Sequence, residues 1–423
     1  MDTFTTEQDV RREAIRRHLQ GEHPNDICHA VGRSPSWCDK WWAEYRRHPH
    51  TDFADRSRAP HTCPGKTPAG VEQAIVAARD VLEAANTPAT EYGLIGARSV
   101  QDQLVRLRLQ SVPRVSTIQR IMARHGQTHP LGAGADWAYY PWPVAWTVNA
   151  IHATDIIPRN IRGGEEIDNF HTIDLYSHAV CLTQQVDKSS ATTCAHLLKT
   201  WAKLGLPQMS QFDNEAAFCG GPTHPRVIGR VVRLCLFCGI EPIFTPAYDA
   251  KRNYQIETFH SLWVTAFWSR KEFADLAQVR HEAPKCARWS HTHYQPPALA
   301  GQTPHQMRQA APVRLLTPDL RHLIPLEDLP ITAGRIHFMR KVDLAGHIEF
   351  LNETWPVGEK WIGEYVRATI DTEQQTVTVW HQADVAANWR LIKPRQFRLD
   401  EPIHALLPQF KRNSPRCRDY WPG

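Results

Sequence analysis

The sequence predicts a multidomain chain, in which two small all-α modules precede an α/β core and a small all-β module follows it. Three observations support this prediction. Helical periodicity dominates residues 7–125, and apolar strand-like runs alternate with helical segments over about 145–310. Short alternating strands, separated by Gly and Asp turns, fill about 330–400. At 423 residues the chain is long enough for about two to four domains with separate cores.

The first module, residues 1–48, reads as three short helices. The first spans Glu7 to Gln20 and the second Pro24 to Val31, each ending at a glycine. Ser34 and Pro35 then favour a new helix start, because Ser caps orphan N–H groups and Pro fits the first turn. This is a helix-turn-helix pattern, although a helical bundle without a DNA role has the same signature. The DNA-facing side is predicted to carry Ser36, Lys40, Arg46 and Arg47.

A linker and a second helical module follow. Residues 49–67 are rich in Pro and polar side chains and predict an extended linker, with Arg56 and Arg58 free to reach a phosphate or a minor groove. Residues 68–130 show three further helical faces, at Val71–Leu82, Val100–Leu107 and Ile118–Met122. We interpret them as a second helix-turn-helix or winged-helix module. The predicted DNA contacts of this module are Arg114, Gln119, Arg120 and Arg124.

The predicted core, residues 145–312, has the element order βββαβαβα, which is typical of ribonuclease-H-like folds. Three acidic residues interrupt its apolar pattern. Asp155 falls within the first strand, Asp213 directly follows the fourth, and Glu257 lies on the late helix. Carboxylate oxygens are the ligands that Mg²⁺ prefers, and two such ions can clamp an in-line phosphoryl displacement. The pattern predicts a metal-dependent site for phosphodiester chemistry.

Other polar residues near these acids are given supporting or structural roles. Asn214, Asn253 and His260 are predicted to surround the three ligands without binding metal themselves. Asp174 ends the second strand, so we expect it to accept backbone N–H bonds in the following turn. Glu215 and Asp249 are competing acids that the helical neighbours of Glu257 disfavour.

These motifs resemble those of bacterial insertion-sequence transposases, which carry a retroviral-integrase-type catalytic core with an Asp-Asp-Glu triad. The resemblance rests on the Asp213-Asn214 pair, on the phrase "PAYDAKRNYQIETFH" ending at His260, and on the late Gly301–Pro304 motif. It covers nearly the whole chain. The segment from Cys219 to Arg230 departs from the family by being longer, and Gln255 stands where a small or basic residue is common.

The resemblance implies catalytic and metal-binding roles for Asp155, Asp213 and Glu257, with two Mg²⁺ ions and Mn²⁺ able to substitute. It implies that the partner is double-stranded DNA, both element ends and target, and that a dimer or tetramer assembles on it. Arg252 is a further predicted DNA contact. Residues 328–402 resemble the small β-barrel that follows the core in such transposases, where Arg340 and Lys341 would contact phosphate, and 403–423 is predicted to be a flexible basic tail.

Composition restricts the class of protein. The net charge is +5, and the core segment 131–330 is balanced, with 18 Lys and Arg against 18 Asp and Glu. We therefore expect the basic surplus in the flanking modules. No apolar run suggests a membrane span or signal peptide, so we expect a bacterial cytosolic, nucleoid-associated protein with reduced cysteines. Cys235 and Cys238 lie in an amphipathic helix pattern without a second ligand pair, which disfavours a zinc site.

The function predicted from the sequence is DNA transposition. The chain would bind the ends of a mobile element, hydrolyse the phosphodiester at each 3′ end and join that end to target DNA. Two alternatives stay open at this point. One is a catalytically silent, transposase-derived DNA-binding regulator, and the other is a plain ribonuclease-H-type nuclease.

Overall fold

The computed structural model of the chain describes residues 6–55, 67–84, 87, 90–127, 139–219, 225–247, 249–309 and 311–412. The predicted DNA contacts Arg56 and Arg58 lie outside these residues, as do 413–423 of the predicted tail. The chain divides into two compact units, 1–69 and 70–423, which we describe separately. Within the described residues, every helix is too short or too polar to cross a membrane.

In residues 6–55, the first unit contains three helices, as predicted. They are α1 (Glu7–Leu19), α2 (Pro24–Val31) and α3 (Pro35–Arg47). The Ser34 side chain caps α3 by accepting a hydrogen bond from Trp37 N, which confirms the predicted start. The small core consists of Val10, Ala14, Ile27 and Val31, and the aromatic face of α3 only partly covers it, since none of the α3 residues is fully buried.

The second unit begins with a second helical module. Its helices are α4 (Ala69–Ala84), α5 (Ala97–Arg106) and α6 (Val115–Arg124). The predicted faces of α4 and α6 pack together with Val100 and Leu104 of α5. Leu107, which we predicted on the α5 face, is 61% exposed because the helix ends one residue earlier.

This module is fastened to the core by one basic side chain in particular. The Arg270 guanidinium donates to the carbonyl oxygens of Glu91 (3.0 Å) and Gly93 (3.1 Å), with longer contacts to two further carbonyls. Lys271 beside it reaches both Glu91 and the hydroxyl of the fully buried Tyr92. These hydrogen bonds link the 90–93 segment of the helical module to the core.

The core follows the predicted βββαβαβα order. Its first strands are β1 (Ile151–Asn160), β2 (Glu166–Asp174) and β3 (Val180–Gln185), followed by α7 (Ser190–Leu204) and β4 (Met209–Phe212). Next come a short α8 (Ala216–Cys219), α9 (Arg230–Phe237), β5 (Glu241–Phe244) and α10 (Tyr254–Ala266). Three more helices complete this part, α11 (Leu276–Thr292), α12 (Pro304–Gln309) and α13 (Pro318–His322).

The C-terminal region, as far as residue 412, contains eight strands. They are β6 (Ile331–Thr332), β7 (Arg335–Lys341), β8 (His347–Phe350), β9 (Glu353–Pro356), β10 (Tyr365–Asp371), β11 (Thr376–His381), β12 (Arg390–Gln396) and β13 (Ile403–His404). Four of them do not stand apart from the core. One nine-stranded sheet runs in the order β12-β11-β10-β7-β5-β4-β1-β2-β3, because β7 pairs in parallel with β5. The separate C-terminal β-barrel that we predicted is therefore not confirmed, and four of its strands extend the core sheet instead.

A hydrophobic cluster spans this junction. Phe244 of β5 stacks on Phe338 of β7 with ring centroids 5.1 Å apart, and both rings are fully buried. Part of the predicted tail also packs: β13 pairs with β6, and Phe410 is completely buried against Phe237 of α9. The prediction of a flexible tail is thus wrong for residues 403–410.

Candidate metal centre

Asp155 lies on β1, an interior strand of the large sheet. Its backbone pairs antiparallel with His171 of β2, whereas the parallel pairing of β1 with β4 ends at Ala153, two residues before it. Its side chain is only 13% exposed, and one carboxylate oxygen accepts a hydrogen bond from Ile156 N at 2.8 Å. The carboxyl group of Asp155 is therefore nearly buried and is held in position on a paired strand.

Asp213 follows the end of the neighbouring strand β4. Ala153 of β1 is aligned with Gln211 of β4, so Asp155 and Asp213 each lie two residues beyond an aligned pair. Glu215 N donates to the Asp213 carboxylate at 2.9 Å. The parallel pairing therefore brings the two acids to the same edge of the sheet.

Glu257 and His260 occupy one face of α10, because residues three apart lie on the same side of a helix. Ile256, Phe259 and Trp263 of the same helix are buried in the core and fix its rotation. The Glu257 side chain is 47% exposed, whereas that of His260 is 7% exposed. His260 Nδ1 lies 3.8 Å from an Asp155 oxygen and 3.7 Å from a Glu257 oxygen, too far for direct hydrogen bonds.

A second histidine, His171, packs beside Asp155 and His260 in the interior. His171 of β2 is the cross-strand partner of Asp155 and is completely buried. Its ring packs against those of Phe259, His260 and Trp263, with centroids 4.9–5.4 Å apart. The imidazole of His260 is therefore clamped between the sheet and its own helix.

The electrostatics of the three acids are unfavourable without a cation. Burial, with the nearby charge of Asp213, raises the pKa of Asp155 to about 8. Burial also raises the pKa of Asp213, and burial with the Asp213 charge raises that of Glu257. His260 does not compensate, since burial lowers its pKa to about 4 and leaves it neutral at pH 7. In the part of the chain that the structure describes, Asp155 and Glu257 have no Lys or Arg ion-pair partner.

The donor set fits a divalent metal. Ligand atoms of Asp155, Glu257 and His260 all lie within 4.8 Å of one another. Two ligands that share an ion at 2.0–2.2 Å lie between roughly 3 and 4 Å apart, which the 3.7 and 3.8 Å separations satisfy. His260 Nε2 is also buried without a hydrogen-bond partner among the described residues, which leaves Nδ1 as the nitrogen that faces the carboxylates. Carboxylate oxygens suit Mg²⁺ or Mn²⁺, whereas an imidazole nitrogen is a donor that transition-metal ions accept more readily than Mg²⁺.

The three residues whose ligand atoms cluster in the structure differ from the three that we predicted as ligands. His260, which we predicted as a supporting residue, belongs with Asp155 and Glu257 as a potential ligand. Asp213 acts on this group electrostatically but is not part of the tight three-residue cluster. The signal for His260 was present in the sequence, since Glu-x-x-His on a helix places both side chains on one face.

The two predicted supporting amides are both anchored. Asn253 is buried, and its side-chain oxygen accepts a hydrogen bond from Gln211 Nε2 at 2.9 Å. Asn214 Nδ2 donates to Thr245 O at 2.6 Å, and Asn214 Oδ1 accepts from Arg340 Nη2 at 2.6 Å. Because Asn214 directly follows Asp213, its hydrogen bond with Arg340 links the Asp213 segment to strand β7.

The competing acids have other partners. Asp174 accepts hydrogen bonds from Asn149 N, Tyr176 N and the Ser177 hydroxyl, which agrees with its predicted role in a turn. Glu215 forms an ion pair with Lys188. Asp249 accepts from Arg252 Nε at 3.0 Å and from the Tyr365 hydroxyl at 2.6 Å.

Two residues predicted to contact DNA are structural instead. Arg340 is 8% exposed and donates to Glu349 O, Thr245 O, Met339 O and Asn214 Oδ1. Arg252 is also 8% exposed, because it lies between Asp249 and the rings of Tyr140 and Tyr365. Both predictions are wrong for the same reason: a basic residue in the sequence does not reveal that a second element covers it.

The remaining predicted DNA contacts are exposed where the structure describes them. They are Ser36, Lys40, Arg46 and Arg47 in the first unit, and Arg114, Gln119, Arg120, Arg124 and Lys341 in the second. Arg124 forms an ion pair with Glu72 at 2.9 Å, so part of its charge is compensated. Their contact with DNA stays a prediction.

Comparison with known proteins gives slight likenesses only. No protein-family profile matches the chain, and no curated protein matches it. Among solved structures, the HTLV-2 integrase catalytic core domain in complex with magnesium is 15% identical with a TM-score of 0.30, over 39% of this chain and 99% of that one. The simian T-cell lymphotropic virus intasome, in complex with a PP2A regulatory subunit, is 14% identical with a TM-score of 0.34, over 74% and 100%.

A third solved structure, the catalytic core domain of BIV integrase, is 13% identical with a TM-score of 0.29, over 38% of this chain and 95% of that one. Scores and identities this low support no conclusion about activity. The function proposed below therefore rests on the chain's own residues.

Proposed function

We propose that the chain is a metal-dependent DNA strand transferase of the transposase type. It would bind the ends of a mobile element, hydrolyse the phosphodiester at the 3′ ends and join those ends to target DNA. The single observation that carries the proposal is the convergence of Asp155, Glu257 and His260 on one gap, with Asp213 at the same sheet edge. The resemblance of the surrounding motifs to insertion-sequence transposases supplies the substrate class.

The residues divide the chemical work as follows. Asp155, Asp213 and Glu257 would present carboxylate oxygens to two divalent ions, Mg²⁺ or Mn²⁺, and neutral His260 would add a nitrogen donor. When bound, such ions lower the pKa of an attacking water or 3′-hydroxyl and stabilise the leaving oxygen. The rigid strand under Asp155 and the packed face of α10 keep these donors in position without rearrangement.

DNA recognition is assigned to the helical modules. The exposed residues Ser36, Lys40, Arg46 and Arg47 of α3 form one predicted reading surface. A second surface comprises the exposed residues of α6 and its start, Arg114, Gln119 and Arg120. Two ends must meet for joining, so we propose that a dimer or tetramer assembles on DNA.

The direct test compares conservative variants of the acids. The substrate is a plasmid that carries the DNA flanking the gene, and the readouts are metal-dependent cleavage and strand joining. Glu257→Gln, Asp155→Asn and Asp213→Asn keep side-chain size but remove an anionic ligand. Loss of ~3–4 kcal/mol of transition-state stabilisation slows chemistry by on the order of 10²–10³. DNA binding by the helical modules should persist in all three.

Matched controls come from acids that already have partners. Asp249→Asn and Glu215→Gln remove carboxylates that pair with Arg252 and Lys188, so each should cleave within about threefold of the parent rate. If the parent binds flanking DNA but never cleaves it with Mg²⁺ or Mn²⁺, the protein is a regulator instead. Cleavage without strand joining would indicate a nuclease.

A further inference from the structure

A basic groove runs along the β3 edge of the large sheet, two strands away from β1. Helices α7 and α11 both pack against β3 and form its walls. The cavity between them measures about 560 Å³. Its cationic lining is made up of Lys199, Lys203, Arg280, Arg288 and Arg308, and the imidazoles of His291 and His305 also line it.

No Asp or Glu belongs to the described lining of this groove. That one-sided charge is unexpected, because residues 131–330 as a whole carry equal numbers of basic and acidic side chains. Three of the 18 acids of this segment, Asp155, Asp213 and Glu257, lie at the candidate metal centre, and none of the acids lies in the described lining of the groove. Ordinary surface solvation intersperses both signs, so segregation of this kind indicates a polyanionic ligand.

Four of these cations keep their charge available. Lys199, Lys203 and Arg288 are exposed and form no ion pair within the described parts of the chain, while Arg280 bonds only to neutral acceptors, Gln184 O and Gln185 Oε1. Only Arg308 is compensated, by buried Asp174. The groove therefore holds uncompensated charge at fixed positions.

The spacing of the cations matches a nucleic-acid backbone. Lys199 and Lys203 are one helical turn apart, about 6 Å along α7, and Arg280 and Arg288 are about 12 Å apart along α11. Phosphates recur about every 3.4 Å along the axis for each strand, so the two walls can follow several successive phosphates. A second copy of the chain is a poor occupant, because two-fold pairing would place the same cations against each other.

We propose that this groove binds the phosphodiester backbone of duplex DNA, as a site separate from the helical modules. The proposal rests on the proposed function for the identity of the polyanion. Contact is to phosphate and not to bases, so it is independent of sequence. The groove would then hold either the transferred end or the target duplex beside the catalytic sheet.

The test is the salt dependence of binding by the full-length chain. The groove variant Lys199→Gln/Lys203→Gln/Arg288→Gln is compared with Arg321→Gln/Lys360→Gln/Arg390→Gln, which removes three exposed cations outside the groove. The probe is a labelled random-sequence duplex in EDTA, between about 50 and 300 mM salt. Each lost phosphate contact lowers the slope of log K against log salt by about 0.9. We expect a decrease of about 2–3 for the groove variant and less than about 0.5 for the control variant.

Equal slopes for the two variants would overturn the proposal. An altered oligomeric state with an unaltered slope would also overturn it and would assign the groove to protein contact. End cleavage and strand joining by the groove variant separate the two DNA sources, since loss of joining alone indicates target DNA and loss of both indicates the end. If the parent cleaves nothing, the proposed function fails, while the slopes still decide whether the groove binds DNA.

Discussion

The two halves of the nine-stranded sheet differ in construction and depend on each other. The half from β1 to β5 is enclosed by helices and carries the metal centre, whereas β7, β10, β11 and β12 form an antiparallel set. The halves meet through only two aligned residue pairs, Ile243 with His337 and Phe244 with Phe338. The pairing is short, but extensive side-chain packing joins the second half to the α/β core, so it is not an appended module.

The largest expected effect comes from removing the second half. A chain that ends at residue 329 loses β7 and with it the rings and aliphatic side chains that cover Phe244 and α9. Exposure of that cluster together with an open strand edge should abolish cooperative unfolding and soluble expression. The comparison is a chain ending at residue 412, which keeps the buried Phe410 and should melt like the parent.

Differential scanning calorimetry and analytical ultracentrifugation provide the measurement. A soluble 1–329 chain that melts cooperatively near the parental temperature and binds Mn²⁺ would show that the two halves are independent. In that case the β5–β7 pairing contributes little to the stability of the core.

A smaller effect is expected at Arg340, which connects the second half to the metal centre. Its guanidinium bonds Asn214 Oδ1 and Thr245 O, and Asn214 is the neighbour of Asp213. Arg340→Met leaves these acceptors buried and frees Asn214 to move. Side chains that orient a metal ligand typically contribute 10- to 100-fold in affinity, so we expect the Kd for Mn²⁺ to rise about tenfold.

The matched control is Arg367→Met on the adjacent strand. Arg367 is 9% exposed, much as Arg340 is, and packs on Trp389 at 4.3 Å, whereas it is the Arg340 guanidinium that donates to Asn214 Oδ1. Both variants should lose stability, and only Arg340→Met should weaken Mn²⁺ binding in isothermal titration of the folded protein. Equal affinities in the two variants would limit Arg340 to a structural role.

Local sequence patterns predicted the elements better than their assembly. The strands and helices around Asp155, Asp213 and Glu257 were identified because each has its own periodicity and end signals. The pairing of β5 with β7 was missed because no local pattern encodes contact between strands that lie about 90 residues apart in the chain. The resemblance to transposases also favoured a separate barrel.

Arg340 shows that the sequence also does not reveal which basic residues are buried. Alternation places a basic residue of a surface strand in solvent, but β7 is covered on both faces, and five of its seven residues are buried. Whether a strand is central or at an edge depends on its neighbours, which are set by tertiary structure. The same reasoning explains Arg252, whose burial depends on Tyr365, more than 100 residues away in the sequence.

The smallest predicted effect concerns the stability of the metal-free protein. Asp155 has a pKa raised to about 8 in the folded protein, against 3.8 when unperturbed. A raised folded pKa means that its stabilising contribution is present below about pH 4 and is lost as pH rises towards 8. In EDTA, the parent's free energy of unfolding should therefore fall over this range, as far as Asp155 determines it.

Asp155→Asn removes that titration and should flatten the pH dependence. Near pH 8 without metal, we expect the inactive variant to melt a few degrees above the parent, and near pH 4 the two should coincide.

Asp174→Asn is the contrasting control, because it weakens hydrogen bonds to a buried carboxylate beside Arg308 and should lower the melting temperature throughout. Added Mg²⁺ should reverse the order of parent and Asp155→Asn, because it binds the folded parent more tightly. If Asp155→Asn melted below the parent at pH 8 in EDTA, the Asp155 carboxylate would be stabilising by itself, and the repulsion among the acids would not be what the metal relieves.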